Sequence, residues 1–202
     1  MLNLLVLVVM IYLGQHLNVM ECNLLCSGPR KQSYEPNGLL TIACNVPWTK
    51  VDYTVIFDEV VLMKIVEIPS VIDAETKLII SSRAYQELIR TKSKTKLKNK
   101  IACVFKYSSL SEKEFLRSSG HYAAEWAIFK GFTKLNIYGC DNWFGDFKCL
   151  DNNMHDITKP HYIKNFNVDF SADVQTARGL YWKQSWEKMI KQNPNVEFNF
   201  IP

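Results

Sequence analysis

Three common signatures are missing from this chain: it has no CxxC pair, no GxGxxG turn and no GxxxxGK[ST] loop. The first absence removes the usual zinc knuckles and thioredoxin-like redox motifs. The other two remove the standard dinucleotide fingerprint and the P-loop. The six cysteines, Cys22, Cys26, Cys44, Cys103, Cys140 and Cys149, form no zinc-like cluster. Cys22, Cys26, Cys44 and Cys103 fall within strand-like runs and Cys140 at a strand end, which suits buried, reduced thiols. A disulfide through Cys140 or Cys149 stays open. A long hydrophobic run is missing too. Residues 2–13 are strongly apolar but too short for a comfortable membrane span, and they lack the basic flank and cleavage site of a secretory signal. Residues 1–19 therefore read as an apolar N-terminal segment with three readings. It is a signal or anchor, an extra element packed on the domain, or an upstream extension before a natural start at Met20. The expected location is cytoplasmic, with membrane association through this segment left open. Strong charge is absent as well: the net charge of +4 is mild and does not by itself mark a nucleic-acid binder.

What the chain has is apolar residues. With 48% of its 202 residues hydrophobic, it can bury a sizeable core, and disorder is excluded for most of it. Its length suits one domain. Short continuous apolar runs recur at residues 22–26, 39–44, 53–57, 77–80 and 101–105, and a helix fits residues 84–89. Such runs mark strands buried on both faces. They predict a single Rossmann-like α/β domain over residues 20–202, with a mostly parallel sheet flanked by helices. The strand ends carry Ser27, Asn45 and Asp58, which a parallel sheet brings to one edge.

The stretch that organises the rest runs from Ser118 to Asp141. Ser118 or Ser119 suits an N-cap, because a hydroxyl there accepts from the free amides of the first turn. Gly120, Ala123, Ala124 and Ala127 put small side chains on adjoining positions, so the helix can lie close against a sheet. Gly131 fits the helix end, where positive φ is needed. Residues 135–138 then read as a strand closed by Gly139-Cys140-Asp141. A helix start offers unpaired amides to an anion, and in open α/β sheets the ligand lies at the carboxyl ends of the strands. Both features point to one crevice.

Residues 90–100 carry Arg90, Lys92, Lys94, Lys96, Lys98 and Lys100 in alternation. This is a solvated surface loop or a contact to phosphates of a nucleotide, a nucleic acid or an anionic lipid surface. With little aromatic interleaving, base stacking is not implied. Residues 142–176 have few regular signals and read as a variable lid or binding loop. Residues 180–190 form an amphipathic helix whose Trp182 and Trp186, four apart, pack inward. Residues 196–201 close the chain as a last strand.

Taken together, Ser27-Gly28-Pro29, the strand end Cys44-Asn45, Ser118-Ser119-Gly120 opening a helix, and Gly139-Cys140-Asp141 resemble a small family. It comprises bacterial sialyltransferases and related phage and bacterial glycosyltransferase-like proteins. The resemblance runs from about Cys22 to Asp141 and is weaker towards the C-terminus. It implies a nucleotide-sugar donor, CMP-linked in the sialyltransferases, lying across the strand ends, with a glycan or other hydroxyl acceptor. On that resemblance Ser27, Gly28 and Pro29 line the donor phosphate and ribose, and Asn45 lies near the sugar-phosphate. Ser118, Ser119 and Gly120 hold the nucleotide, and Asp141 sits at the neighbouring strand end. Asp58 joins the set as a further strand end.

Two departures from the family pattern bear on the chemistry. Arg30 stands where the family has Ser; it either grips a phosphate through two hydrogen bonds or faces solvent. The family's catalytic His before the C-terminal helix has no counterpart in Val174-Gln175-Thr176-Ala177-Arg178. Sugar transfer needs a base for the acceptor hydroxyl, and His near its ordinary pKa suits that task. The candidates are His121 first, then His155 and His161. Asp141 is a further catalytic candidate, alone or paired with Asp146. The Asp141–Asp146 segment lacks the close DxD spacing of metal-dependent sugar transferases, so no metal is expected. Three functions stay open: a glycosyltransferase-like enzyme, a non-catalytic nucleotide- or partner-binding protein, and a phage nucleic-acid-modifying enzyme supported by residues 90–100.

Overall fold

The apolar runs become strands. The computed structural model describes residues 19–92, 97, 99–105, 118–145 and 172–202. Within them lie β1 (Glu21–Leu25), β2 (Leu40–Cys44), β3 (Tyr53–Ile56), β4 (Lys77–Ser81), β5 (Ile101–Phe105), β6 (Lys134–Tyr138) and β7 (Glu197–Phe200). They form one sheet in the order β5-β4-β3-β2-β1-β6-β7, and every neighbouring pair is parallel. The expectation of a mostly parallel sheet is thus met in full. Four α-helices flank the sheet among the described residues: α1 (Glu59–Glu67), α2 (Ser82–Arg90), α3 (Ser119–Phe129) and α4 (Ala172–Gln192).

Parallel strands need cover on both faces, because each side alternates apolar residues into a core. On one face Ala123, Ala124 and Ala127 of α3 and Trp186 and Met189 of α4 pack on Leu24, Ile42, Val55 and Ile137. The small residues of α3 do what their size suggests. A Cβ added to Gly120 would lie 2.7 Å from Cys26 Sγ, so α3 rests almost directly on the end of β1. On the other face Val61, Leu62 and Ile65 of α1 and Ala84 and Leu88 of α2 cover Ile56, Leu78 and Ile80. Over β1 and β2 that face is closed by Tyr34 and Trp48, which pack on Leu25, Ala43 and Val51.

A polar ladder crosses this second face at one level. Asn199 Nδ2 donates to Asn136 Oδ1 (3.1 Å), and Asn136 Nδ2 to Glu21 Oε1 (2.8 Å) and Asn23 Oδ1 (3.5 Å). Asn23 Nδ2 donates on to Thr41 Oγ1 (3.3 Å) and Asn37 Oδ1 (2.8 Å). The backbone register pairs the same residues, Asn136 with Asn199, Asn23 with Asn136 and Asn23 with Thr41. A slip of one residue would strand these amides in a core, so the ladder fixes register.

Several boundaries differ from the sequence reading. α1 has no counterpart in it. β1 ends at Leu25, which leaves Cys26 as the first residue past the strand. α4 begins at Ala172, not at 180, so residues 172–176 belong to a helix and not to the variable loop. At the other end of that loop a 3-10 turn takes Asp141–Phe144, and residues 146–171 lie outside the described residues. Trp186 is fully buried and Trp182 half-buried, as an inward-facing pair requires. Gly131 closes α3 with φ +92°. Among the described residues no helix is long and apolar enough to cross a membrane; residues 1–18 lie outside them.

Candidate functional site

The strand order makes the crevice. From β1 the chain builds outward to β5, then returns to add β6 and β7 on the other side of β1. The loops leaving β1 and β6 therefore part in opposite directions, and ligands of open α/β sheets bind at such a switch point.

The β1 loop is braced on the β6 loop. Cys26 N–H donates to Tyr138 O (2.8 Å) and Gly28 N–H to Gly139 O (2.9 Å). Gly28 is required here: a Cβ would fall 1.7 Å from Asp141 Oδ2 and 2.5 Å from Gly139 O. Pro29 then opens a 3-10 turn over Pro29–Ser33. Arg30 is half-buried and reaches Asp141. Its Nη1 meets Asp141 Oδ1 at 2.8 Å, its backbone N–H points at Asp141 Oδ2 (3.4 Å), and its guanidinium lies 5.0 Å over the Phe144 ring. The pair neutralises a carboxylate that is only 3% exposed. The sequence reading put Asp141 beside the Ser27–Pro29 turn, and the two do meet. Arg30 makes an ion pair with Asp141 that joins the two loops, an engagement that the sequence reading of Arg30 did not include.

Across β1, Asn45 ends β2 with φ +63°, a conformation Asn tolerates better than most residues. Its N–H donates to Val55 O (3.0 Å) and its carbonyl accepts from Thr54 Oγ1 (2.6 Å). So pinned, its Oδ1 accepts from Ser119 Oγ (3.2 Å). The end of β2 and the start of α3 are thereby joined. Ser27 Oγ lies 3.7 Å from Cys44 Sγ, which brings Ser27 to the same group.

Three thiols form the floor. Cys26, Cys44 and Cys140 stand at the ends of β1, β2 and β6. Hydrogen bonding from Cys140 comes first among the causes that push the Cys26 thiol well up. Cys44 is pushed up by Cys26 first and burial second. The five described cysteines carry no disulfide, and the raised thiols of Cys26 and Cys44 stay protonated and weakly reactive near neutral pH. Cys149 lies outside the described residues.

His121 is placed otherwise than a base acting directly on an acceptor. It is fully buried. Ser118 N–H reaches its Nδ1 at 3.1 Å, so Nδ1 accepts, and Ser118 Oγ–H donates to the same atom at 2.8 Å. Nε2 lies 3.1 Å from Trp182 O; a carbonyl only accepts, so Nε2 carries the proton. The ring stacks on Trp186 at 4.2 Å. An acceptor hydroxyl has no direct line to either ring nitrogen.

Asp58 ends β3 and precedes α1, where its carbonyl accepts from Leu62 N–H (3.2 Å). His155, His161 and Asp146 lie outside the described residues. In the basic run Arg90 pairs with Glu87, and Lys100 Nζ donates to the carbonyls of Asp73 and Ala74. Lys94, Lys96 and Lys98 are outside the described residues. Among those described, no group of three or more His, Cys, Asp or Glu is placed to hold a metal ion.

Sequence reasoning missed Asn142. It is buried; its Oδ1 accepts from Cys140 S–H (3.5 Å), and its Nδ2 has no partner among the described residues. A buried orphan donor at a strand end calls for an acceptor oxygen. Its position directly after Asp141 was the available signal. No protein-family model, no curated protein and no solved structure matches this chain.

Proposed function

We propose that the protein is glycosyltransferase-like: it binds a nucleotide sugar at the β1/β6 edge and passes the sugar to a hydroxyl acceptor. The observation that carries this reading is the Ser119–Asn45 hydrogen bond beside the Ser27-Gly28-Pro29 turn. It gathers helix-start amides, hydroxyls and a carboxamide where a switch-point ligand would lie. Ser119 and Gly120 would take phosphate oxygens, Ser27 and Asn45 the ribose and sugar-phosphate, and Asn142 Nδ2 a further oxygen. Asp58, Ser118 and Pro29 shape the rim. Asp141 acts through Arg30 by holding the two loops together. The base for the acceptor falls to His155 or His161 under this reading. The donor is a nucleoside mono- or diphosphate sugar, a CMP conjugate among them.

The engagement of both His121 nitrogens favours one rival: a non-catalytic protein that binds a nucleotide on the same fold. A nucleic-acid substrate has less support, since Arg90 and Lys100 already have intramolecular partners.

A thermal-shift screen against CMP, UDP, GDP and their sugar conjugates, with and without magnesium, tests the reading. Binding to the native state adds about 2.7 kcal/mol at a hundredfold excess over Kd. A shift with one nucleotide series, followed by donor turnover, supports the transferase. A shift without turnover supports the binding protein. No shift in a folded sample overturns both.

A further inference from the structure

We propose that the amino-terminal edge of the sheet, opposite the crevice, rests on an anionic lipid surface, with the apolar residues 2–13 as its anchor. This goes beyond the nucleotide-sugar reading and does not depend on it. Strand starts and helix ends share this edge, because each crossover between parallel strands returns the chain to it. The three most exposed large apolar side chains among the described residues, Phe129 (81%), Val19 (64%) and Ile89 (53%), all belong to it. Phe129 is the last residue of α3, and Ile89 lies in the last turn of α2. Val19 and Met20 lead into β1. Met20 O accepts from Thr133 N–H (2.8 Å) and Lys134 N–H (3.1 Å), and a Cβ on Gly131 would lie 3.8 Å from Met20 Sδ. Residues 1–18 therefore join the fold at the end of the helix that carries Phe129.

Scattered exposed apolar residues need no occupant. Here they share one edge with the junction of a strongly apolar segment, and residues 2–13 are too short to span a bilayer but suit its interface. A single apolar anchor holds weakly, and a basic patch is the usual second signal. The edge has one. Its acids Glu21, Glu67, Glu75 and Glu87 are paired with Lys134, Lys64, Lys50 and Arg90. Asp52, Asp73 and Glu197 are outnumbered there by Lys77, Lys92, Lys100, Lys130 and Lys191. Arg90 and Lys100 bound the basic run, so both of its ends lie at this edge. Lys130 Nζ is 5.6 Å from the centre of the Trp126 ring and 6.0 Å from that of Phe129, which sets a cation beside an aromatic side chain as headgroups require. A nucleic acid would use the lysines but leave Phe129, Val19 and Ile89 without a role. On a bilayer this edge faces the lipid, and the crevice at the carboxyl ends of the strands stays open to water.

Flotation of the full chain with phosphatidylcholine vesicles, with and without phosphatidylserine, tests the proposal. Binding should be at least about tenfold tighter with phosphatidylserine and should weaken as salt rises. Phe129→Ser removes a side chain that is already exposed, so the melting temperature should hold while binding falls about fivefold. Lys92→Glu with Lys130→Glu should abolish the preference for phosphatidylserine, and Leu5→Asp with Val9→Asp should cost about tenfold in binding to either vesicle. Orientation is read with a polarity-sensitive dye on Phe129→Cys or on Val60→Cys, with the unsubstituted chain as background. Val60 is 49% exposed in the first turn of α1, at the crevice edge. Vesicles should shift the dye to the blue at position 129 and leave it unchanged at 60. No binding by a monodisperse full chain overturns the proposal, as does binding to RNA or DNA through the same lysines without binding to vesicles. Equal shifts at both positions overturn it too. So does a dye at 129 that is blue-shifted before vesicles are added and unmoved by them, since residues 1–18 or a second copy would then cover the edge.

Discussion

Gly28 and Asp141 occupy space that only one of them could have if either were larger. Gly28→Ala sets a methyl 1.7 Å from Asp141 Oδ2, so the carboxylate must move and its bond to Arg30 with it. Overpacking of this kind costs about 1–3 kcal/mol, and urea denaturation should show a loss in that range. Arg30→Ala leaves the carboxylate buried without its cation. The cost is about 2 kcal/mol, below that of a fully sequestered pair because Arg30 is 33% exposed. Arg30→Lys should recover only part of it, as an ammonium cannot also lie flat on Phe144. Cys22 makes a pH-dependent prediction. Burial first, and Glu21 second, push its thiol from 9.0 to about 12. The folded state therefore keeps a proton that the unfolded chain releases above 9.0. Stability from this group is whole below that pH and declines as pH rises towards about 12. Wild type should lose about 2 kcal/mol from this thiol between neutral pH and about pH 10.5. Cys22→Ala should give a shallower alkaline slope in paired urea titrations. An unchanged slope would mean that Cys22 is not the group that titrates.

At the level of elements, helix starts carry much of the local specification. Ser81 ends β4 and caps α2. Its Oγ accepts from Ala84 N–H (3.1 Å) and donates to Phe57 O (2.7 Å), tying β4, β3 and α2 together in a buried site. Ser81→Ala removes both bonds, so a loss of about 2 kcal/mol is expected by chemical denaturation. Ser81→Thr should keep most of it. Such starts were only partly legible in the sequence. Continuous apolar runs located the strands, because burial on both faces removes polar residues from most of a parallel strand. α1 was hidden by its own composition: Val60, Val61, Ile65 and Val66 are β-branched and lack a helix's clear polar face. Asp58 before Glu59 was the signal present. The asparagine ladder was invisible for the opposite reason. Asn23 and Asn136 look like interruptions within apolar runs until the register lines them up. At the candidate site, Ser27, Asn45, Ser119, Gly120 and Asp141 were legible as strand ends and a helix start. The engagement of Arg30 and His121 was not, since each depends on a partner outside its own motif or on a carbonyl supplied by α4.

For the molecule as a whole, the question is what joins the two sides of the switch point. β7 and α4 are added last and lie beyond β6, yet their aromatic residues reach back to α3. Trp186 contacts His121 by stacking and meets Phe198 and Phe200 edge-on at 6.5 and 5.4 Å. Trp143, in the turn after β6, stacks on Phe200 at 4.1 Å. One indole thus links the last helix, the last strand and the start of α3. Its Nε1 is buried without a partner among the described residues, so packing is what holds it there. Trp186→Ala should cost about 3–5 kcal/mol through the cavity it leaves. Trp186→Phe should cost much less, because it keeps most of the packing and removes an unsatisfied donor. A double-mutant cycle separates a local cavity from a link between the two sides. If Trp186 supports α3 through His121, then Trp186→Phe and His121→Gln should be non-additive, with a coupling of about 0.5–1.5 kcal/mol. Hydrogen exchange in the first turn of α3 should rise in both single variants and little further in the double. Additive losses, with exchange in α3 unchanged by Trp186→Phe, would make the stack incidental. The C-terminal helix and strand would then be an independent flap on the sheet and not part of what holds the crevice in shape.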